Sequence, residues 1–225
     1  MELTTVITVF KSGGDYDQDF VRCLRAQVDR HMSVPHRFVC LSDQFIKGVA
    51  CHHLQEDWPG WWSKIELFRP GLITGPTLYL DLDTVLVGSI DALAWFDHDF
   101  AMMRNVWEPR MPGSAVMWFR EKAPAEVWKR FSGAPEAMME QYKRTQNGAY
   151  LGDQAFIWDT LHRKVEYLSD QCPGLIRSYR RHCLPNGGPP EGCSLVAFGG
   201  AFKPWTVQDN WVRQAWHSST STTTP

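Results

Sequence analysis

Two aspartates one residue apart, Asp81 and Asp83, close an apolar run that begins at Thr77. In an extended chain successive side chains alternate faces, so Leu78, Leu80 and Leu82 point one way while Tyr79, Asp81 and Asp83 point the other. The two carboxylates therefore share a face, with Cα atoms about 7 Å apart, and a bend at the strand end would bring both onto one ion. Left alone the pair repels and one pKa rises, whereas a hard divalent cation takes oxygen ligands and favours both ionised forms. The plain reading is that the aspartates end a buried strand and cap a turn. Apolar sequence on both sides, with Val85 to Val87 behind, weighs toward binding, because carboxylates set in core-forming sequence are costly unless something compensates them.

Other residues able to do chemistry are scattered along the chain. Ser63 and Glu66 have capping-box spacing, which predicts a helix starting after Trp62, ending near Pro70 and carrying Lys64 in its first turn. A cation there opposes the helix dipole, so Lys64 is either a solvated side chain or a partner for an anionic ligand beside the exposed amides. Gly152, Asp153 and Gln154 open a helix through Leu161, with Asp153 as its N-cap on the plain reading. Gly199 and Gly200 permit close backbone approach just before Lys203. Near the start, Gly13 and Gly14 loosen a loop whose Tyr16 could lie against a nucleotide base. Of eleven tryptophans most are expected in the core, and Trp58, Trp61 and Trp62 are the better candidates for contact with a sugar ring. The basic group Arg177, Arg180, Arg181 and His182 is either a solvated face or a surface for an anionic acceptor, and the sequence leaves both open. Cys172, His182, Cys183 and Cys193 lack the spacing of a zinc site, and the six cysteines read as free thiols.

The elements that must position these residues alternate between strand and helix, which predicts an α/β domain. Strands are expected over 4–10, 37–43, 49–54, the aspartate strand, 100–104, 114–120, 175–179 and 194–198. A helix follows the first loop, capped by Asp15 with Gln18 answering, and buries Phe20, Val21, Leu24, Val28 and Met32 on one face. Further helices are expected over 89–96, after Pro124, after Pro135 and from Gly152. Met138, Met139 and Tyr142 are read as core, and Asn147-Gly148 as a turn. The 225 residues, 44% of them hydrophobic, suffice for one domain, expected over 1–217, with a disordered tail over 218–225. A formal charge of −2 gives no electrostatic case for nucleic acid or an anionic membrane, and no stretch has the length of a membrane span. A cytoplasmic protein with a small-molecule or carbohydrate partner is expected.

In order along the chain, the aromatic loop after the first strand, Ser63-Lys64, the DXD motif at Asp81 and Asp83, the GDQ of Gly152 to Gln154 and the GxxKPW of Gly200 to Trp205 resemble the glycogenin-like sugar-nucleotide glycosyltransferases of family 8. The resemblance runs from the first strand to about Trp205. It implies a single GT-A (Rossmann-like) domain with a mixed, mostly parallel central sheet, and transfer from a nucleotide-sugar donor, a UDP-sugar, to a carbohydrate or other hydroxyl acceptor with retention of anomeric configuration. It further implies that Asp81 and Asp83 hold Mn2+ or Mg2+, that Phe10, Tyr16, Lys64, Asp81, Leu82, Ser114, Gly200 and Lys203 bind the donor, and that Asp153 and Gln154 lie beside the transferred sugar. Two positions depart from the pattern. A metal-binding histidine is replaced by Ala197, with Gly199 just before the motif glycine, and the strand start reads Gly113, Ser114, Ala115, Val116.

Two other readings compete. DLDTV after an apolar strand also looks like the first motif of haloacid dehalogenase-type phosphatases, with Asp81 as nucleophile and Asp83 as acid-base; that motif belongs on a first strand, and several elements precede it here. The loss of the histidine would suit a non-catalytic domain that binds nucleotide-sugars.

Overall fold

The computed structural model describes residues 2–143 and 152–217. The expected turn at Asn147-Gly148 and the tail from residue 218 lie outside the described residues.

Four parallel strands form one half of a seven-stranded sheet. They are β1 (Thr4–Phe10), β2 (His36–Ser42), β3 (Ala50–His53) and β4 (Thr77–Leu80). The short β5 (Thr84–Leu86) leaves for a second sheet, while β6 (Phe100–Arg104), β7 (Pro112–Phe119) and β8 (Glu166–Tyr167) complete the first in the order β3-β2-β1-β4-β7-β6-β8. Only β7 runs antiparallel to its neighbours, so the sheet is mixed and mostly parallel as expected. The second sheet pairs β5 with β10 (Leu195–Ala197) and β10 with β9 (Ile176–Ser178).

Helices cover both faces of the large sheet. The first, α1 (Gln18–His31), presents Val21, Leu24 and Val28 to Val6, Phe10, Leu78 and Leu80. On the opposite face Ile7, Val9 and Tyr79 pack with Trp62, Phe119, Phe131 and Phe156, the last two from α2 (Ala125–Ser132) and α4 (Gly152–Thr160). Strand β1 thus sends alternate side chains into two cores, as a strand covered on both sides must. The short α3 (Pro135–Gln141) and α5 (Leu168–Gln171) connect these layers. A third cluster lies under the small sheet, where Val85, Tyr179 and Val196 meet Val212 and Trp216 of α6 (Asn210–His217).

Some boundaries differ from those expected. Asp17, not Asp15, caps α1, its carboxylate accepting the backbone N–H of Asp19 at 2.8 Å. The segment after Pro59 is a 3₁₀ helix, Gly60–Phe68, with no capping box. Glu66 instead accepts the backbone N–H groups of Gln55 at 2.8 Å and Glu56 at 2.9 Å and pairs with Arg69, while the Ser63 hydroxyl donates to the Gly60 carbonyl. A long-range demand on the glutamate overrode the local pattern. Lys64 therefore lies one turn beyond the 3₁₀ helix start, and the dipole argument for it falls away. Residues 89–96 hold a 3₁₀ helix of Asp91–Trp95. All six cysteines are free, and no helix is long and apolar enough to cross a membrane among the described residues.

Candidate active site

Because β1 and β4 are parallel neighbours, their carboxyl ends open on the same edge, and Asp81 follows directly from Leu80 there. The antiparallel β7 starts at that edge, where the Ala115 carbonyl accepts the Asp81 N–H at 2.9 Å and Ser114 comes alongside. The chain then bends. The Thr84 N–H returns to the Asp81 carbonyl at 3.1 Å, and β5 pairs Thr84 with Ala197 in the small sheet. Asp83 thus sits in the joint between the two sheets, only 4% exposed.

Each aspartate is met by its own lysine. The Lys64 ammonium lies 2.8 Å from Oδ1 and 3.0 Å from Oδ2 of Asp81, with the Ser114 hydroxyl at 3.4 Å and Asp153 at 3.5 Å. The Tyr79 hydroxyl donates to the same Asp81 carboxylate. Burial works against the charge on Lys64, but Asp153 and Asp81 more than offset it and hold its pKa above the ordinary lysine value. On the other side Lys203 reaches Asp83 Oδ2 at 2.6 Å, and the Tyr16 hydroxyl donates to the same oxygen at 3.1 Å. Burial, then the charge of Asp81, push the Asp83 pKa up against the pull of Lys203. Tyr16 is raised by burial and by Asp83, so it stays a donor.

Asp153 stands at the start of α4, and its Oδ2 is buried with no hydrogen-bond partner among the described residues. The Lys64 contact is an electrostatic one, too long for a good charge-assisted hydrogen bond. A buried carboxylate oxygen without a donor costs free energy, and a sugar hydroxyl is a group that would supply the donor. Gln154 follows it, half-buried.

The remaining expected residues divide. Phe10 and Leu82 send their side chains into the core, so contact with a donor at those positions is left to the main chain. Gly200 has φ +65°, a conformation that favours glycine, and a Cβ there or at Gly199 would meet nothing within 4 Å, so the loop before Lys203 borders open space. Of the three tryptophans proposed for a sugar, Trp58 and Trp62 are core residues packed on Phe131, and only Trp61 is exposed. Asp43, unmarked by any motif, ties down the loop carrying Tyr16; its only signal in the sequence is a carboxylate just after β2, at the same sheet edge. A cavity of about 610 Å³ lined by His98, Leu161, Lys164 and Glu166 lies by β8 and includes none of the expected site residues.

Asp81 and Asp83 match a hard divalent cation in type but not in number, since no group of three or more His, Cys, Asp or Glu is arranged to hold a metal ion among the described residues. Ala197 is buried on β10 opposite Thr84 and offers no ligand. Charge favours such an ion. Three carboxylates, Asp81, Asp83 and Asp153, face two ammoniums, Lys64 and Lys203, so the ionised cluster carries a net negative charge. Asp81 and Asp83 would supply two carboxylates to such a cation, with no third His, Cys, Asp or Glu arranged to join them among the described residues.

No protein-family model and no curated protein matches this chain. Among solved structures it is similar to the glycosyltransferase GlyE of Streptococcus pneumoniae TIGR4, with a TM-score of 0.63 and 13% identity over 96% of this chain and 60% of that one. It is similar over nearly the full length of both chains to the galactosyltransferase LgtC in complex with donor and acceptor sugar analogs, with a TM-score of 0.62 and 16% identity over 98% of this chain and 97% of that one. At such identities the likeness establishes the fold, which is the α/β GT-A fold of these glycosyltransferases. The chain spans about three fifths of GlyE. Asp81 directly follows the fourth strand in chain order, not the first as the phosphatase reading requires.

Proposed function

We propose that this protein is a glycosyltransferase that moves a sugar from a nucleotide-sugar donor, a UDP-sugar by resemblance, to an acceptor hydroxyl. The observation that carries the reading is the cluster in which Asp81, Lys64 and Asp153 on one side meet Asp83, Lys203 and Tyr16 on the other, at the carboxyl edge of β1 and β4. Open α/β sheets bind their ligands at such edges.

Breaking the bond between sugar and phosphate places growing negative charge on the diphosphate. Lys203, on a glycine loop and held by Asp83 and Tyr16, is placed to receive that charge where it develops. Lys64 is kept protonated by Asp81 and Asp153 and serves the same end. Asp81 and Asp83 would hold Mn2+ or Mg2+, which as a Lewis acid neutralises the leaving diphosphate. The open oxygen of Asp153 accepts a hydrogen bond from a sugar hydroxyl, and its charge, with Gln154 beside it, supports an oxocarbenium-like sugar on one face, the route on which retention without an enzyme nucleophile would rely.

A second reading, a domain that binds nucleotide-sugars without turnover, is favoured by Ala197 alone. Thermal unfolding against UDP-, GDP- and CDP-sugars, each with Mn2+ and with chelator, tests both. A ligand at a hundred times its Kd adds roughly 2.7 kcal/mol, a Tm rise of about 5 to 10 °C at this size. The expected result is a rise with the UDP-sugars when metal is present, lost in Asp83→Ala. No rise with any donor overturns the proposal, and a rise without release of free or transferred sugar leaves the binding domain.

A further inference from the structure

Toward the same edge of the small sheet as Asp83 lies a second constellation that the donor site does not use. Between β6 and β7 the loop 105–111 holds Trp107 outward, 56% exposed. The loop is tied down. Asn105 Oδ1 accepts the N–H groups of Trp107 at 2.9 Å and Glu108 at 3.2 Å, the Arg104 guanidinium donates to the Pro109 carbonyl at 2.7 Å, and the Tyr167 hydroxyl donates to the Arg110 carbonyl at 3.0 Å. Arg181 donates to the Val106 carbonyl at 2.8 Å, joining the loop to the turn of Tyr179–Cys183. A rigidly presented indole loses little freedom when a ring stacks on it.

Two guanidiniums lie against this indole, Arg180 at 5.0 Å and Arg181 at 5.7 Å from the ring centroid. Both are exposed, and neither forms an ion pair among the described residues. Neighbouring Arg177 has its Nε buried without a hydrogen-bond partner. Burial first, then Arg177 and Arg181, hold His182 below the ordinary imidazole value, which marks the same local excess of positive charge. A protein with net charge −2 thus keeps an uncompensated basic patch around one exposed indole.

Its place relative to the donor site is fixed by strand register. Ser178 pairs with Ala197 and Ala197 with Thr84, so the turn bearing Arg180 and Arg181 leaves the small sheet at the edge where Asp83 lies. Arg180 is also 5.9 Å from the ring of Phe202, the residue before Lys203. On the other flank, the loop of Trp107 leads into Ser114.

We propose that Trp107, Arg180 and Arg181 form an acceptor subsite for a sugar residue carrying a carboxylate or a phosphate. The indole packs on the apolar face of the ring, and the planar guanidiniums match the oxygens of either anion. The inference rests on the transferase reading, so its test begins with the full chain and UDP plus Mg2+. Three probes are then titrated while the Trp107 indole N–H is followed by NMR, its signal assigned by its loss in Trp107→Ala: methyl β-glucuronide, glucose 6-phosphate and the neutral methyl β-glucoside. At least one anionic probe is expected to bind about tenfold tighter than the glucoside, equivalent to ~1.4 kcal/mol, and which one does identifies the anion. Replacing both arginines, Arg180→Ala with Arg181→Ala, should bring that probe to the level of the glucoside. If charged and neutral probes move the indole equally, or none moves it, the subsite is overturned while a UDP-induced Tm rise keeps the transferase reading. Absence of that rise in the wild-type chain is a failure of the reading itself.

Discussion

Asp43 lies at the carboxyl end of β2 and holds the loop that carries Tyr16. It accepts from the Lys11 ammonium at 2.7 Å, the Ser12 N–H at 3.0 Å and the Ser12 hydroxyl at 2.6 Å. Burial alone would raise its pKa, but these bonds outweigh it and hold the carboxyl below the ordinary value of 3.8. The ionised form is therefore the one folding favours. Its stabilisation is fully present above pH 3.8 and is lost as the pH falls through the lower folded pKa. Asp43→Asn should cost about 1 to 2 kcal/mol at pH 7, the range of a hydrogen-bonded charge that is only partly buried. Urea denaturation of both proteins at pH 7 and well below pH 3.8 checks this, and a difference that does not shrink in acid would rule the carboxylate out as its source. Asp81, Asp83, Lys64 and Lys203, which the motifs singled out by type and spacing, are brought together as two ion pairs. Asp43 was not singled out, since its partners lie more than thirty residues away.

At the scale of elements, α4 depends on a glycine that the sequence marked only as part of a motif. Gly152 has φ +68°, and a Cβ there would stand 2.8 Å from Trp61 Nε1, closer than real contacts allow. The exposed indole of Trp61 thus closes over the start of the helix that presents Asp153. Gly152→Ala adds strain of about 1 to 3 kcal/mol in a left-handed conformation, a fall in Tm of several degrees, beyond the steric conflict. Trp61→Ala on that background should recover the steric part and leave the backbone part, which a double-mutant cycle read by thermal unfolding separates; additive effects would mean that ring and glycine do not meet. Strands β1, β2 and β6 were readable nearly to the residue because a short apolar run buried on both faces is written locally. Strands β9 and β10 lie within the expected ranges 175–179 and 194–198, but their membership of a second sheet was not readable, because β10 pairs with β5 more than a hundred positions away, a link that no local pattern records. The false capping box at Ser63 fails for the same reason, with Glu66 committed to the backbone of the preceding loop.

For the whole molecule the question is whether the two sheets fold as one body, because the site is divided between them. Asp81 and Lys64 belong to the large sheet and its covering 3₁₀ helix, whereas Lys203 follows the small one. Leu86, Ile176 and Leu195 of the small sheet share a core with Leu78 and Leu80 of the large one, which argues for a single cooperative unit. The outer face of the small sheet is closed by α6, where Trp216 packs on Phe20, Phe20 packs on both Tyr16 and Trp205, and Trp205 is two residues past Lys203. A chain of rings therefore joins α6 to the Lys203 side of the site. Trp216→Ala should destabilise by about 3 kcal/mol, the low end for a buried aromatic since the residue is near the edge of the structure. If the sheets fold together, guanidinium denaturation will show one transition with a lowered midpoint and unchanged slope, and UDP will raise the Tm less because Lys203 has lost its support. Two separate transitions would show instead that the small sheet opens by itself, making the lysine side of the site a unit that nucleotide binding must assemble.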